Sequence, residues 1–218
     1  LPVGFEALSF AYIQDGDSNK AVEVLLQAFA NFPNEVSFPF SLATIFNNSR
    51  EFLKAENYYH TALSIQPDLI AAKHALAIMY EDMNDTNRSD SLFLHIINQN
   101  ENDAGGRNDY AYILSEREES SKDDFNYALQ LAKSAIAIDP ENAAFLDTIG
   151  WIYYKLEIYQ KAEEFLEKSL SINDDNPVIL EHLGDIYIKL NKTTEAINTY
   201  KKILEIDSDN KIIRNKIN

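Results

Sequence analysis

The chain has 218 residues, 45% hydrophobic and 25% charged, enough apolar material for one or two globular domains or an extended repeat array and too much for disorder. Its net charge of −16 works against DNA, RNA and anionic lipid headgroups, which all need basic surface, so no nucleic-acid partner is expected. Zero cysteines exclude disulfides, thiolate metal sites and cysteine nucleophiles.

No apolar run approaches the ~20 residues of a membrane-spanning helix. The opening residues, LPVGFEALSF, contain no Met, no signal-peptide core and no lipidation cysteine. That is the beginning expected of a processed or excised piece whose address signal lies upstream.

Internal periodicity organises the rest. Six repeats are predicted, at residues 2–35, 36–69, 70–103, 104–142, 143–176 and 177–210, all of 34 residues except the fourth, with 39. Each shows two apolar patterns of helical period joined by a polar turn. In the first repeat the turn DGDSNK (15–20) begins like a calcium loop, with Asp15, Asp17 and Asn19 in place. Lys20 then stands where a glycine is needed and Leu26 where the bidentate glutamate belongs, so it reads as an inter-helix turn. In the second, Pro39 is tolerable only if the helix has just begun. The third has a long polar turn, EDMNDTNRSD. The fourth carries a five-residue insertion in the acidic stretch EREESSKDD (116–124), expected to be a solvated linker or else a contact feature. Residues 211–218 read as the start of a capping helix or of a truncated further repeat, with Ile213 and Ile217 on one face.

Within the register, the seventh and eleventh places hold bulky residues, such as Leu42 and Phe46 or Ile149 and Tyr153. The eighth place is small (Ser9, Ala43, Ala77, Ala111, Gly150, Gly184), and so is the twentieth (Ala21, Ala55, Ser89, Ala128, Ala162, Ala196). Small residues facing each other let paired helices approach closely. The twenty-fourth place supplies bulk again in Leu25, Tyr59, Phe93, Leu166 and Tyr200, with Ala132 the exception.

This spacing resembles the tetratricopeptide repeat over residues 2–210. The resemblance implies an all-α fold: stacked antiparallel helix pairs forming a right-handed superhelical solenoid with a concave groove. It also implies that places 2, 5, 9, 12 and 13 of each first helix line that groove. On this basis Leu146, Ile149, Gly150 and Tyr153 pack inward. The partner-binding residues expected in the groove are Phe40, His74, Ile78, Asn108, Tyr112, Asp147, Trp151, Tyr154, Lys155 and His182. Aromatic anchors ringed by hydrogen-bonding groups have the composition of a protein-binding hot spot. The opposing reading packs these rings on adjacent repeats and leaves only an edge exposed.

Some members of the family hold a C-terminal carboxylate with a fifth-place lysine and a ninth-place asparagine. No repeat here has either, which argues against a chaperone tail as ligand. The four histidines lie on different predicted helices and form no metal-ligand spacing, and there is no phosphate-binding glycine loop. No catalytic pair can be nominated, and no cofactor or metal is expected.

Repeats four to six carry a narrower likeness. Asn108, Tyr112, Phe145, Leu146, Asp147, Gly150, Trp151 and Glu181 to Asp185 resemble the C-terminal half of a group of bacterial tetratricopeptide proteins. Members of that group are anchored to the outer membrane as lipoproteins, and one is an adaptor that presents substrates to a processing protease. The likeness implies a non-enzymatic scaffold that holds a partner peptide or helix. It tilts the expected compartment, otherwise open, toward the periplasmic side of the bacterial envelope. The alternatives are a structural array that self-associates through convex or terminal faces, and the regulatory arm of a larger enzyme.

Overall fold

The computed structural model describes residues 1–217. These form thirteen α-helices, with no strand among the described residues: α1 (Pro2–Gln14), α2 (Ser18–Asn31), α3 (Ser37–Asn48), α4 (Phe52–Ile65), α5 (Ile70–Asp82), α6 (Thr86–Gln99), α7 (Ala104–Glu116), α8 (Lys122–Ile138), α9 (Ala143–Lys155), α10 (Tyr159–Ile172), α11 (Pro177–Lys189), α12 (Thr193–Ile206) and α13 (Lys211–Ile217). The reading of 211–218 as a helix start includes Asn218, which lies outside the described residues.

The helices fall into two compact units, α1–α6 and α7–α13. In the first, α1 packs on α2, α3 on α4 and α5 on α6, while α2 also meets α3 and α4 meets α5. In the second, the pairs are α7 with α8, α9 with α10 and α11 with α12. There α8 also meets α9, α10 meets α11, and α13 rests on α12.

The small places explain the close pairing. All residues at the eighth and twentieth places are buried. At Gly150 an added Cβ would sit 1.7 Å from Leu166 Cδ2, and at Gly184 it would sit 2.3 Å from Tyr200 Cε1. The bulky twenty-fourth residue of the second helix thus fills the space that the missing side chain leaves. Each first helix then turns sharply into its partner through a residue with positive φ. Gly16, Arg50, Asn84, Glu157 and Asn191, all at the fifteenth place, have φ of 77°, 58°, 59°, 61° and 60°.

The fourth repeat departs from this turn. Two of its extra residues lengthen the inter-helix loop, which runs over 117–121 against 156–158 in the next repeat. The other three extend α8 to 17 residues, where α10 has 14. A capping box between Ser121 and Asp124 starts α8, satisfying two otherwise orphaned backbone donors. Another departure lies in α1. Leu8, expected in the packing stripe, is 45% exposed, and α1 packs chiefly on α2.

Candidate functional site

In the second unit the fifth and ninth places of α9 and α11 point toward the next first helix, and the contacts recur in register. Asp147 and Glu181 hold the fifth place of the fifth and sixth repeats. Asp147 Oδ1 accepts from Nδ1–H of His182 at 2.8 Å, with both residues buried. A carboxylate can only accept, which fixes the proton on that ring nitrogen. Glu181 accepts from Lys216 Nζ at 2.8 Å, and Lys216 also reaches both Asp185 oxygens, at 2.7 and 2.8 Å. His182 and Lys216 occupy the same place of successive helices, one residue past a full repeat from their acids.

Trp151, at the ninth place, stacks on His182 with ring centroids 4.1 Å apart and on Tyr154 at 4.8 Å. Its indole N–H donates to Glu116 Oε1 at 2.6 Å. Lys155 Nζ lies 3.0 Å from the same carboxylate and 5.0 Å from the indole centroid. Burial works against the charge of Glu116, but the Trp151 donor and the Lys155 ammonium outweigh it and hold its carboxyl below the usual range. Tyr112 is 38% exposed, and burial pushes its hydroxyl pKa up, with Glu116 and Asp147 adding to the rise. The Tyr154 hydroxyl is raised chiefly by burial as well. Near α13, Tyr200 donates to Asp185 at 2.6 Å, and Lys216 sits over its ring.

The first unit is built differently on the corresponding face. The sixth place there holds Ser41 and Ala75, both too short and neither basic. A cleft of about 460 Å³ opens instead, lined by Ile13, Phe40, Ser41, Thr44, Ile45 and Asn48 among others, without a charged side chain. Phe40 is half-buried beside Tyr59, 6.1 Å between centroids, and Thr44 donates back to the Phe40 carbonyl. His74 is half-buried next to Phe93, and Ile78 is 38% exposed. Ion pairs in this unit include Asp17 with Lys20 and Glu51 with Lys54 at turns, and Arg88, which pairs with Asp85 at its own turn and with Glu56 on α4.

The residues expected to line the groove therefore divide. Ile78 and Tyr112 are exposed, and Phe40, His74, Trp151, Tyr154 and Lys155 are half-buried. Asn108, Asp147 and His182, expected as polar groups flanking an open face, are buried. Asp147 and His182 are covered because the fifth-place acid of one repeat meets the sixth-place ring of the next. Glu116, Glu181, Asp185 and Lys216 were not among the expected groove residues. Glu116, Glu181 and Asp185 were legible, since they hold the thirteenth, fifth and ninth places of their helices. Among the described residues no group of His, Asp or Glu could hold a metal ion, and no helix is long and apolar enough to cross a membrane.

With this geometry in place, the likenesses to known proteins can be given. The family model described as "Tetratricopeptide repeat" matches residues 156–215. A 60-residue stretch is 40% identical to the BBSome complex member BBS4 of Bos taurus, covering 28% of this chain and only 12% of that relative. Among solved structures, PilW, a type IV pilus biogenesis factor, aligns over 100% of this chain and 98% of its own, with TM-score 0.80 and 14% identity. TTC0263, a tetratricopeptide-repeat protein of Thermus thermophilus, aligns over 84% of this chain and 96% of its own, with TM-score 0.71 and 22% identity. Identities this low carry the fold alone. Residues 156–215 are tetratricopeptide-repeat sequence, and the chain as a whole has the fold of a tetratricopeptide-repeat protein.

Proposed function

We propose that the chain holds a peptide or helix of a partner protein against the first-helix faces described above, in a bacterial envelope complex on the periplasmic side. Repeat folds of this kind serve as protein-interaction scaffolds and are generally non-catalytic. The observation that carries the reading is the face itself. Each unit has its own such face with half-exposed apolar and aromatic groups, Phe40 and Ile78 in the first and Tyr112, Trp151 and Tyr154 in the second. Such groups are the usual anchors of protein interfaces. The envelope assignment is supported by the resemblance of repeats four to six to outer-membrane lipoproteins. The likeness to a type IV pilus biogenesis factor points the same way.

The test is affinity capture from envelope and soluble fractions of the source cell. The baits are wild type and a Tyr112→Ala/Trp151→Ala/Tyr154→Ala variant with an unchanged helical circular-dichroism spectrum. A partner lost only with the variant supports groove binding, and its fraction reports the compartment. Equal capture by both moves the interaction to another surface.

A second reading, self-association, is favoured by α1, where Val3, Leu8, Phe10 and Ile13 are all exposed. Contiguous apolar exposure of this kind marks contact surfaces. Light scattering over a concentration series tests it, and a monomer throughout would sink it.

A further inference from the structure

The contacts of the second unit repeat as rungs. In each, the fifth and ninth side chains of one repeat cradle the sixth-place side chain of the next. In the fifth repeat the cradle is Asp147 and Trp151, and the guest is His182, hydrogen-bonded to the one and stacked on the other. In the sixth repeat it is Glu181 and Asp185, and the guest is Lys216. Both guests present an N–H to the cradle, and both cradles are thereby satisfied from within.

The fourth repeat has the same two places, filled by Asn108 and Tyr112. The residue in register with His182 and Lys216 is Thr148, which is too short to serve. Its hydroxyl donates instead to the Ala144 carbonyl, in its own helix, at 3.1 Å. Asn108 is only 7% exposed, and its side-chain oxygen has no hydrogen-bond partner. A buried acceptor left unpaired costs free energy, so such groups are expected to find a donor. Tyr112, one turn on along the same face of α7, is half-exposed and offers an aromatic ring. Burial is the main influence on the Tyr112 hydroxyl, and the Glu116 and Asp147 carboxylates, themselves paired with Lys155 and His182, add to it.

We infer that this third rung is completed in trans by a cationic side chain of the partner segment, an arginine or lysine, which lies against Tyr112 and donates to Asn108 once the side chains over its solvent-closed oxygen move aside. The inference rests on the groove-binding reading above. Three observations point to that chemistry rather than to an apolar or acidic guest. The orphaned atom is an acceptor, the two homologous guests are basic, and an aromatic face with nearby carboxylates attracts cations. The net charge of −16 favours the approach of a basic segment from a distance.

The experiment is an NMR titration of the full chain with N-acetyl-arginine amide and with its neutral isostere, N-acetyl-citrulline amide. The signals followed are the Asn108 side-chain amide and the Tyr112 ring. The arginine compound is expected to shift both saturably and to bind about tenfold more tightly than citrulline, as a charge-assisted bond requires. Thr148→His places a basic guest in the rung, as His182 does in the next one, and is expected to abolish the response. Asn108→Leu removes the acceptor and is expected to do the same, so a folding defect in either variant leaves the other as the test. Absence of saturable shifts, equal binding of the two compounds, or a response that persists in both variants overturns the inference. Partner capture that depends on Trp151 alongside any of those results overturns the rung and leaves the groove reading standing.

Discussion

The two units use one repeat frame to make unlike surfaces, and the contrast is sharpest at the sixth place of the first helices that follow α9 and α11. In the second unit the sixth place of α11 and α13 holds His182 and Lys216, long enough to reach back and pair with the acids of the preceding repeat, whereas α7 and α9 carry Asp109 and Thr148 there. Among α9, α11 and α13 the first-helix face is closed by its own side chains, and Trp151 is held in the stack that results. In the first unit the place holds Ser41 and Ala75, and an uncharged cleft opens beside Phe40 and Thr44. The helix-pair frame is shared, apart from the longer 117–121 loop and longer α8 of the fourth repeat. What differs is whether the next repeat brings a guest. A repeat array can thus set the character of each stretch of surface without disturbing the small-residue contacts that hold its helices together.

Substitutions that test this contrast fall in order of size. The largest effect is expected in the shared frame rather than on the face. Tyr153→Ala, which removes a ring 4% exposed and packed on Phe165, should cost ~3–5 kcal/mol by urea denaturation. Trp151→Ala should cost clearly less, because its ring is half-buried; equal losses would reject the division into core and face.

Next comes the guest itself. His182→Ala leaves the buried Asp147 carboxylate unpaired and should cost ~1–3 kcal/mol. Ser41→Ala, at the same place in the first unit, should stay within ~0.5 kcal/mol. A comparable loss at both would mean that the place does not distinguish the units.

A smaller effect is expected in the acid limb. Glu116 has a folded pKa below its unfolded one, so its contribution is present above the unfolded value and fades as pH falls through the folded one. Glu116→Gln should therefore lower the melting temperature at neutral pH, and the gap to wild type should close as the solution is acidified. A gap independent of pH would remove the charge from the account of the Trp151 stack.

The smallest concerns the turns. Glu157 holds φ of 61°, a conformation that glycine adopts without steric cost. Glu157→Gly should be neutral or stabilising, by up to ~1 kcal/mol, whereas the same change at the helical Glu164 should destabilise.

Much of the frame is legible in the sequence because it depends on residue size at fixed places. Ala43, Gly150 and Gly184 announce close helix pairing, and Leu25, Tyr59 and Phe93 announce what fills the gap. Helical spacing likewise separates Tyr153, buried, from Trp151 and Tyr154, half-buried. The face was less legible. Periodicity says which side of a helix a residue occupies, but not how far its side chain reaches toward the next repeat. Asn108, Asp147 and His182 lie on the expected side and are nonetheless covered. The pairing of Asp147 with His182 would have required comparing the fifth place of one repeat with the sixth of the next. The insertion was similarly hard to apportion. Nothing in EREESSKDD says that three residues join a helix until the Ser121–Asp124 capping box is recognised.

The most direct measurement is a double-mutant cycle on the Asp147–His182 rung, using Asp147→Ala, His182→Ala and the double variant, with stabilities from urea denaturation. The account predicts a favourable coupling of ~1–3 kcal/mol, because each single change strands a buried partner and the double change strands none. Additive losses would mean that the two side chains are energetically independent. The second unit would then not be closed by its own guests, and its contrast with the first would fail.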